Sequence, residues 1–168
     1  FELLADVVTA NLKNLKLTTD SITFKGKLNF NFSSITLDNF LGTAKVSDAE
    51  IIKNGSRLPF DSLILTSSIN ENLKILTAVS NAFKAKAEGE FSLKDLPDAF
   101  TYFLNKYYPA YINPPKKYPR DQDINFNITT YYVDEYLQLI DSSISGLNNS
   151  HIEGRMKLSE NILEITAE

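Results

Sequence analysis

Between Ile22 and Phe32 apolar and polar residues alternate without a break. Ile22, Phe24, Gly26, Leu28, Phe30 and Phe32 fall on one side, and Thr23, Lys25, Lys27, Asn29 and Asn31 on the other. A period of two puts each set on one face of a strand, whereas a helix would scatter the aromatic rings round its circumference. The same alternation runs from Phe83 through Ala85, Ala87, Gly89 and Phe91 to Leu93, with Lys84, Lys86, Glu88 and Glu90 opposite. Between these runs, Asn54-Gly55 separates alternating segments at Thr43 to Lys53 and Ser56 to Ile69. Asn-Gly supplies the positive φ angles of a type I′ turn, whose twist matches that of paired strands. Turn residues at Asn70-Glu71-Asn72 and Ser80-Asn81 complete an antiparallel meander of four strands from Leu41 to Leu93. Its third strand carries Leu73, Ile75, Thr77 and Val79.

The flanks continue the pattern. The first sixteen residues or so read as a strand with Leu4, Val8, Ala10, Leu12, Leu15 and Leu17 apolar, and a parity slip near Asn14 suggests a bulge. Thr18 to Ser21 is a turn cluster, and Leu37 to Leu41 fits a single helical turn. A helix is predicted near 95–108, capped by Asp95 or Leu96, with Pro97 in its first turn and Asp98 beside the positive end of its dipole. Leu96, Phe100, Phe103, Leu104 and Tyr107 form its apolar stripe, and Pro109 ends it. Tyr111 to Asp123, with Pro114, Pro115 and Pro119, reads as an exposed polyproline-like connector. Alternation resumes at Ile124, Phe126 and Ile128. A short helix around Val133 to Ile140 follows, then strands near Ser142 to Gly146, His151 to Ser159 and Ile162 to Ala167.

Two stretches echo each other. Leu28 to Ser34 matches Ile124 to Thr130, and three residues on, Leu37 to Leu41 answers Val133 to Leu137. Each is a strand with aromatic and aliphatic residues facing in, followed by a short helix carrying Asp and an aromatic. The match suggests a single domain over 1–168 built from similar units, about 20–110 and 111–168, that extend one sheet.

Composition narrows the chemistry. A net charge of −4 without a basic stripe argues against nucleic acid, which needs clustered cations to displace its counterions. The absence of cysteine removes disulfides and thiolate metal sites, and His151, the only histidine, removes a two-histidine metal site. Asp95 with Asp98 and Asp134 with Glu135 are possible carboxylate pairs, but they sit where helix N-termini favour negative charge. The six glycines are isolated, so no phosphate-cradling loop exists. No catalytic residue, metal or cofactor is therefore expected, and the chain is read as a non-enzyme. No apolar run reaches the roughly 18 residues of a membrane span. The chain opens at Phe1 already in alternation, as a piece of a longer protein would. Tyr107, Tyr108 and Tyr111 with Lys116, Lys117 and Arg120 form an aromatic and basic patch that suits lipid headgroups or a partner.

The run Phe40-Leu-Gly-Thr-Ala-Lys-Val-Ser-Asp-Ala-Glu-Ile-Ile-Lys-Asn-Gly-Ser-Arg-Leu-Pro-Phe-Asp-Ser-Leu, with Thr19 to Leu28 and Phe83 to Leu93 on either side, resembles the TamB (translocation and assembly module) family. These are AsmA-like repeat proteins of the Gram-negative envelope, and the likeness is best over residues 15 to 112. The resemblance implies a long periplasmic protein, tethered to the inner membrane by a segment absent from this chain. It implies repeats that curl into a taco-like grooved sheet with an apolar lining that carries lipid towards the outer membrane. It also implies an outer-membrane partner, a TamA-like β-barrel, engaged through parts outside this segment.

The expected fold is therefore mainly β: a repetitive curved antiparallel sheet, a taco-like groove or half-barrel, with one substantial helix and one or two short ones. Its apolar face, either groove or core, comprises Ile22, Phe24, Leu28, Phe30, Phe32, Phe83, Phe91, Leu93, Phe126 and Ile128. The expected ligand is a phospholipid or other acyl lipid. A closed β-sandwich that binds glycan or protein is the alternative.

Overall fold

A computed structural model describes residues 2–16, 20–33, 37–71, 73–140 and 145–168. Among the described residues nine strands lie in one sheet in chain order, every neighbouring pair antiparallel. They are β1 (Glu2–Asn11), β2 (Ile22–Phe32), β3 (Gly42–Lys53), β4 (Ser56–Asn70), β5 (Leu73–Ser80), β6 (Phe83–Glu90), β7 (Asp123–Thr130), β8 (His151–Lys157) and β9 (Ile162–Ala167). Helix α1 (Leu96–Tyr107) joins β6 to β7, α2 (Asp134–Ile140) follows β7, and a 3-10 turn, Leu37–Asn39, sits between β2 and β3. The sheet is a plain meander that is not closed into a barrel, with β1 and β9 as its edges. Mainly β, one open antiparallel sheet, one substantial helix and one short: that architecture agrees with the alternation.

The hairpin at Asn54-Gly55 forms as its residue types require, with φ of 52° and 85°. β2 keeps the predicted bounds of Ile22 and Phe32. Its middle meets irregularities on both flanks. Lys25 pairs with Glu50 and Lys27 with Ser47, so Asp48 and Ala49 oppose Gly26 alone. On the other side Val7 pairs with Gly26 and Ala10 with Phe24. A Cβ on Gly26 would lie 2.8 Å from that of Ala49, so glycine is what lets the bulged strand close in.

Several expectations are corrected. The bulge of β1 lies at Val8 and Thr9, not at Asn14, which sits inside the turn after β1 and donates its N–H to the Asn11 side chain at 3.1 Å. Consequently Leu3, Ala5 and Val7 share the inner face, while Leu4 and Val8 are exposed. Leu17 and the turn residues Thr18 and Thr19 lie outside the described residues, as do Ser34 of the echo, Asn72 and positions 141–144 of the strand expected near Ser142. Ser145 and Gly146 belong to no strand. In β5 the opposite set faces in: Leu76 and Ala78, paired with Ser67 and Leu65. β6 ends at Glu90, so Phe91 and Leu93 fall beyond it.

The helix stripe also shifts. Ala99 and Phe103 are buried and Leu96, Phe100 and Tyr102 pack beside them, but Leu104 and Tyr107 are exposed. Asp95 occupies the N-cap position without capping, because its carboxylate accepts from Arg120 Nε at 2.5 Å instead. Asp134 likewise turns away from its helix and accepts the N–H groups of Gly146 and Leu147 at 3.0 and 2.9 Å. Asn148 caps α2 in return, its Oδ1 accepting from the backbone N–H of Val133 at 2.7 Å. The expected connector is not uniformly exposed: Pro119 and Gln122 are buried. Finally, the echoing segments lie on β2 and β7. Five steps of a meander make those two strands antiparallel, so the echo repeats a strand and its short helix in opposite directions along the sheet.

Candidate functional site

Residues directly opposite in an antiparallel pair share a face, so the register traces rows of side chains across the sheet. One row runs through Leu3, Phe30, Ala44, Leu65, Ala78, Ala85, Ile128, Ile152 and Ala167. It is apolar on all nine strands and, at about 4.8 Å per strand, spans roughly 38 Å. A second row runs from Phe32 through Gly42, Ser67, Leu76, Ala87, Phe126 and Gly154 to Ile165. The opposite face is mixed and mostly polar, for example Leu4, Asn29, Lys45, Ile64, Val79, Lys84, Thr129 and His151.

The apolar face is covered in two places. α1 lies over its β6–β9 part, where Phe103 and Met156 are fully buried with Phe91, Ala99, Ile124 and Leu158. Phe100 meets Phe126 edge-on at 6.3 Å. At the other end of the strands α2 places the Tyr136 hydroxyl to donate to the Pro59 carbonyl at 3.0 Å. Beneath it is an apolar cavity of about 150 Å³ lined by Ile51, Leu63, Ala82, Phe83 and Tyr136. Between these covers the first row stays half-buried from β1 to β8: Leu3, Phe30, Ala44, Leu65, Ala78, Ala85, Ile128 and Ile152 all retain partial access to solvent, and Ala167 on β9 is exposed.

The predicted apolar residues therefore divide. Phe91, Leu93 and Phe126 belong to the packed core against α1. Phe83 lines the α2 cavity. Ile22, Phe24, Leu28, Phe30, Phe32 and Ile128 remain on the half-open part of the face. Phe30 and Phe32 lie 5.9 Å apart, and Phe32 meets Phe40 edge-on at 5.3 Å. Of the aromatic and basic patch, Tyr107, Tyr108, Tyr111, Lys116 and Lys117 are exposed, but Arg120 is committed elsewhere.

Arg120 belongs to a polar buttress that no short motif announces. Its Nε donates to Asp95, and its Nη2 donates to Ser92 Oγ at 3.0 Å and to Asp38 at 3.4 Å. The Ser92 hydroxyl donates to Asp38 at 2.9 Å, and Lys74 Nζ donates to the Asp38 carbonyl at 2.5 Å. Fully buried Gln122 accepts the Ser92 N–H at 2.9 Å and donates to the Arg120 carbonyl at 3.0 Å. The 3-10 turn between β2 and β3 is thereby tied to the β6–α1 corner and to the start of β7. Partial burial pushes the Asp38 carboxyl up, but the Ser92 hydroxyl, the Lys94 N–H and the Lys74 charge outweigh it and hold the group below its ordinary 3.8. A lowered carboxyl stabilises the fold above its unfolded pKa, and that stability is lost as pH falls through the folded value. Asp38→Asn should therefore cost about 1 kcal/mol at pH 7, the modest figure reflecting a site open to water. Melting curves of the two proteins should converge below pH 3.8, and a gap that persists in acid would refute the charged role of Asp38.

His151 stands half-exposed at the start of β8, beside Asn127 Nδ2 at 3.3 Å and Thr129 Oγ1 at 3.2 Å, on the polar face. Asp95 shares the Arg120 guanidinium with Asp38, and Asp134 binds two backbone N–H groups. Among the described residues no group of three or more His, Cys, Asp and Glu side chains is placed to hold a metal ion, and no helix is long and apolar enough to cross a membrane. Comparison with family models, curated proteins and solved structures returned no match.

Proposed function

We propose that this chain is a non-enzymatic segment of a longer envelope-assembly protein, and that its apolar sheet face forms part of a groove for the acyl chains of phospholipid. The observation that carries the reading is the apolar row that crosses the nine described strands and stays half-buried from β1 to β8 between α1 and α2. Full burial of a Leu, Ile or Phe side chain is worth about 1.5–3 kcal/mol, so a row left half in water has much to gain from an apolar ligand. Acyl tails have no directional polar requirement and can complete such a face anywhere along it. In keeping with the TamB-like sequence, the segment works in the periplasm. The rest of the protein provides an inner-membrane tether and contact with a TamA-like outer-membrane barrel.

Native mass spectrometry after incubation with phospholipid, followed by solvent extraction, tests this. Wild-type protein should carry a phospholipid or fatty acid. Phe30→Asp places a charge on the half-open part of the row, one strand in from the β1 edge, and should lose the lipid while keeping its circular dichroism. Thr43→Asp, exposed on the opposite face, should keep it. A folded wild-type protein that stays ligand-free, or equal lipid retention by Phe30→Asp, would remove the groove reading.

A further inference from the structure

From Ala99 to Arg120 the chain holds four cations, Lys106, Lys116, Lys117 and Arg120, and no Asp or Glu. With a net charge of −4 for the whole chain, the remaining residues sum to −8, that is −4 minus +4. Positive charge is thus gathered on one segment of an otherwise acidic protein. Arg120 is neutralised by Asp95 and Asp38, which leaves the three lysines. The carboxylates of the adjoining turns are also engaged. Asp121 accepts the Ser159 and Gln122 N–H groups, and Glu160 pairs with Lys157 at 2.5 Å.

The same segment shows large aromatic rings to water. Tyr107, Tyr108, Tyr111 and Tyr118 are between 59% and 87% exposed. They are not on a loose tail. The Tyr108 N–H donates to the Leu104 carbonyl at 2.8 Å, and the N–H groups of Tyr111 and Ile112 donate to the Tyr108 carbonyl at 3.0 Å. Asn105 Nδ2 donates to the Ile112 carbonyl at 2.5 Å, and Tyr118 packs edge-on against Tyr102 at 5.1 Å. Lys106 Nζ reaches Asn161 Oδ1 at 2.6 Å, which puts the patch beside the β8–β9 turn, at the rim where those strands end. Exposed apolar area held in a fixed shape marks an interaction surface, and tyrosine with lysine is the combination favoured at the headgroup level of a bilayer.

We infer that this rim docks on the surface of an anionic bilayer, with the tyrosine rings among the headgroups and Lys106, Lys116 and Lys117 against lipid phosphates. The occupant is argued from charge: three lysines on a stretch with no Asp or Glu from Ala99 to Arg120 attract a negative surface, and the rings add apolar contact that a soluble polyanion would not reward. The inference stands apart from the reading of the sheet face, which lies on other residues.

Sedimentation of the full chain with vesicles of phosphatidylglycerol and phosphatidylcholine in equal parts tests it, against vesicles of phosphatidylcholine alone. At low salt the protein should follow the anionic vesicles and leave the neutral ones. The double variant K116Q/K117Q should bind on the order of tenfold more weakly, and Y107S/Y111S should also lose affinity. Both leave Ala99 and Phe103 untouched, so the helix should remain seated. Phe30→Asp should bind vesicles as wild type does, which separates surface docking from lipid carriage. Raising the salt on wild-type protein should release it, a readout that needs no variant. Undiminished binding by K116Q/K117Q, equal capture by neutral vesicles or indifference to salt would each overturn the inference. So would retention on an acidic polysaccharide resin without vesicle binding, since that result would assign the patch to a glycan.

Discussion

Phe103→Ala should lower the unfolding free energy by about 3–5 kcal/mol. Phe103 has no exposed surface, and it closes the cluster formed with Phe91, Ala99, Ile124, Met156 and Leu158. Truncation would remove the transfer energy of the ring and leave a cavity that strands on one side and a helix on the other cannot collapse into. The effect should reach the far strand, because Met156 on β8 is as fully buried as Phe103 and pairs with Leu163 on β9. Leu104→Ala, one residue along but exposed, should change stability by no more than about 0.5 kcal/mol. Urea unfolding of the two variants checks this directly. Equal losses would mean that α1 is not seated on the face formed by Ala99 and Phe103.

Gly89→Ala is the second large loss. Gly89 holds φ at +145°, and an added Cβ would stand 2.0 Å from the Asp123 carbonyl oxygen, on the strand that pairs with its own. No side-chain rotation can relieve a contact between a Cβ and a backbone oxygen, so the β6–β7 pairing must open at that end. Strain and the broken ladder together should cost on the order of 2–4 kcal/mol. Gly55→Ala is the control. Its φ is also positive, at +85°, but nothing lies within 4 Å of the new Cβ, so only the backbone preference is lost, about 1 kcal/mol. Hydrogen exchange would place the damage: faster exchange for Ile124 and its neighbours in Gly89→Ala, none of it in Gly55→Ala. Equal destabilisation by the two would contradict the close approach of β6 and β7.

Alternation by itself determined the strands, because period-two patterning on Ile22–Phe32 and on either side of Asn54-Gly55 leaves no other way to gather the apolar residues on one face. Turn chemistry determined the meander, since Asn-Gly at a two-residue loop permits one connection. The apolar residues of the face were legible for the same reason, and so was α1, whose start Pro97 names; its spacing picked out Leu96, Phe100 and Phe103 but also Leu104 and Tyr107, which are exposed. Parity was legible only where the polar residues were clear. In β1 and β5 aliphatic residues occupy both faces, so the pattern could not say that Leu3 rather than Leu4, or Leu76 rather than Ile75, points inward; pairing with Phe30 and Ser67 decided it. The buttress of Asp38, Ser92, Arg120 and Gln122 was hidden because its members come from three separate stretches of the chain, and single polar residues carry no periodicity. Asp95 and Asp134 show the same limit. Helix chemistry alone favours capping, but a guanidinium and two loop amides lie within reach and make stronger or more numerous bonds. Which part of the apolar face is core and which part stays half-open was likewise a tertiary decision. Burial depends on where α1 and α2 come to rest, and those helices are placed by contacts far apart in the sequence, such as Phe103 with Met156 and Tyr136 with Pro59.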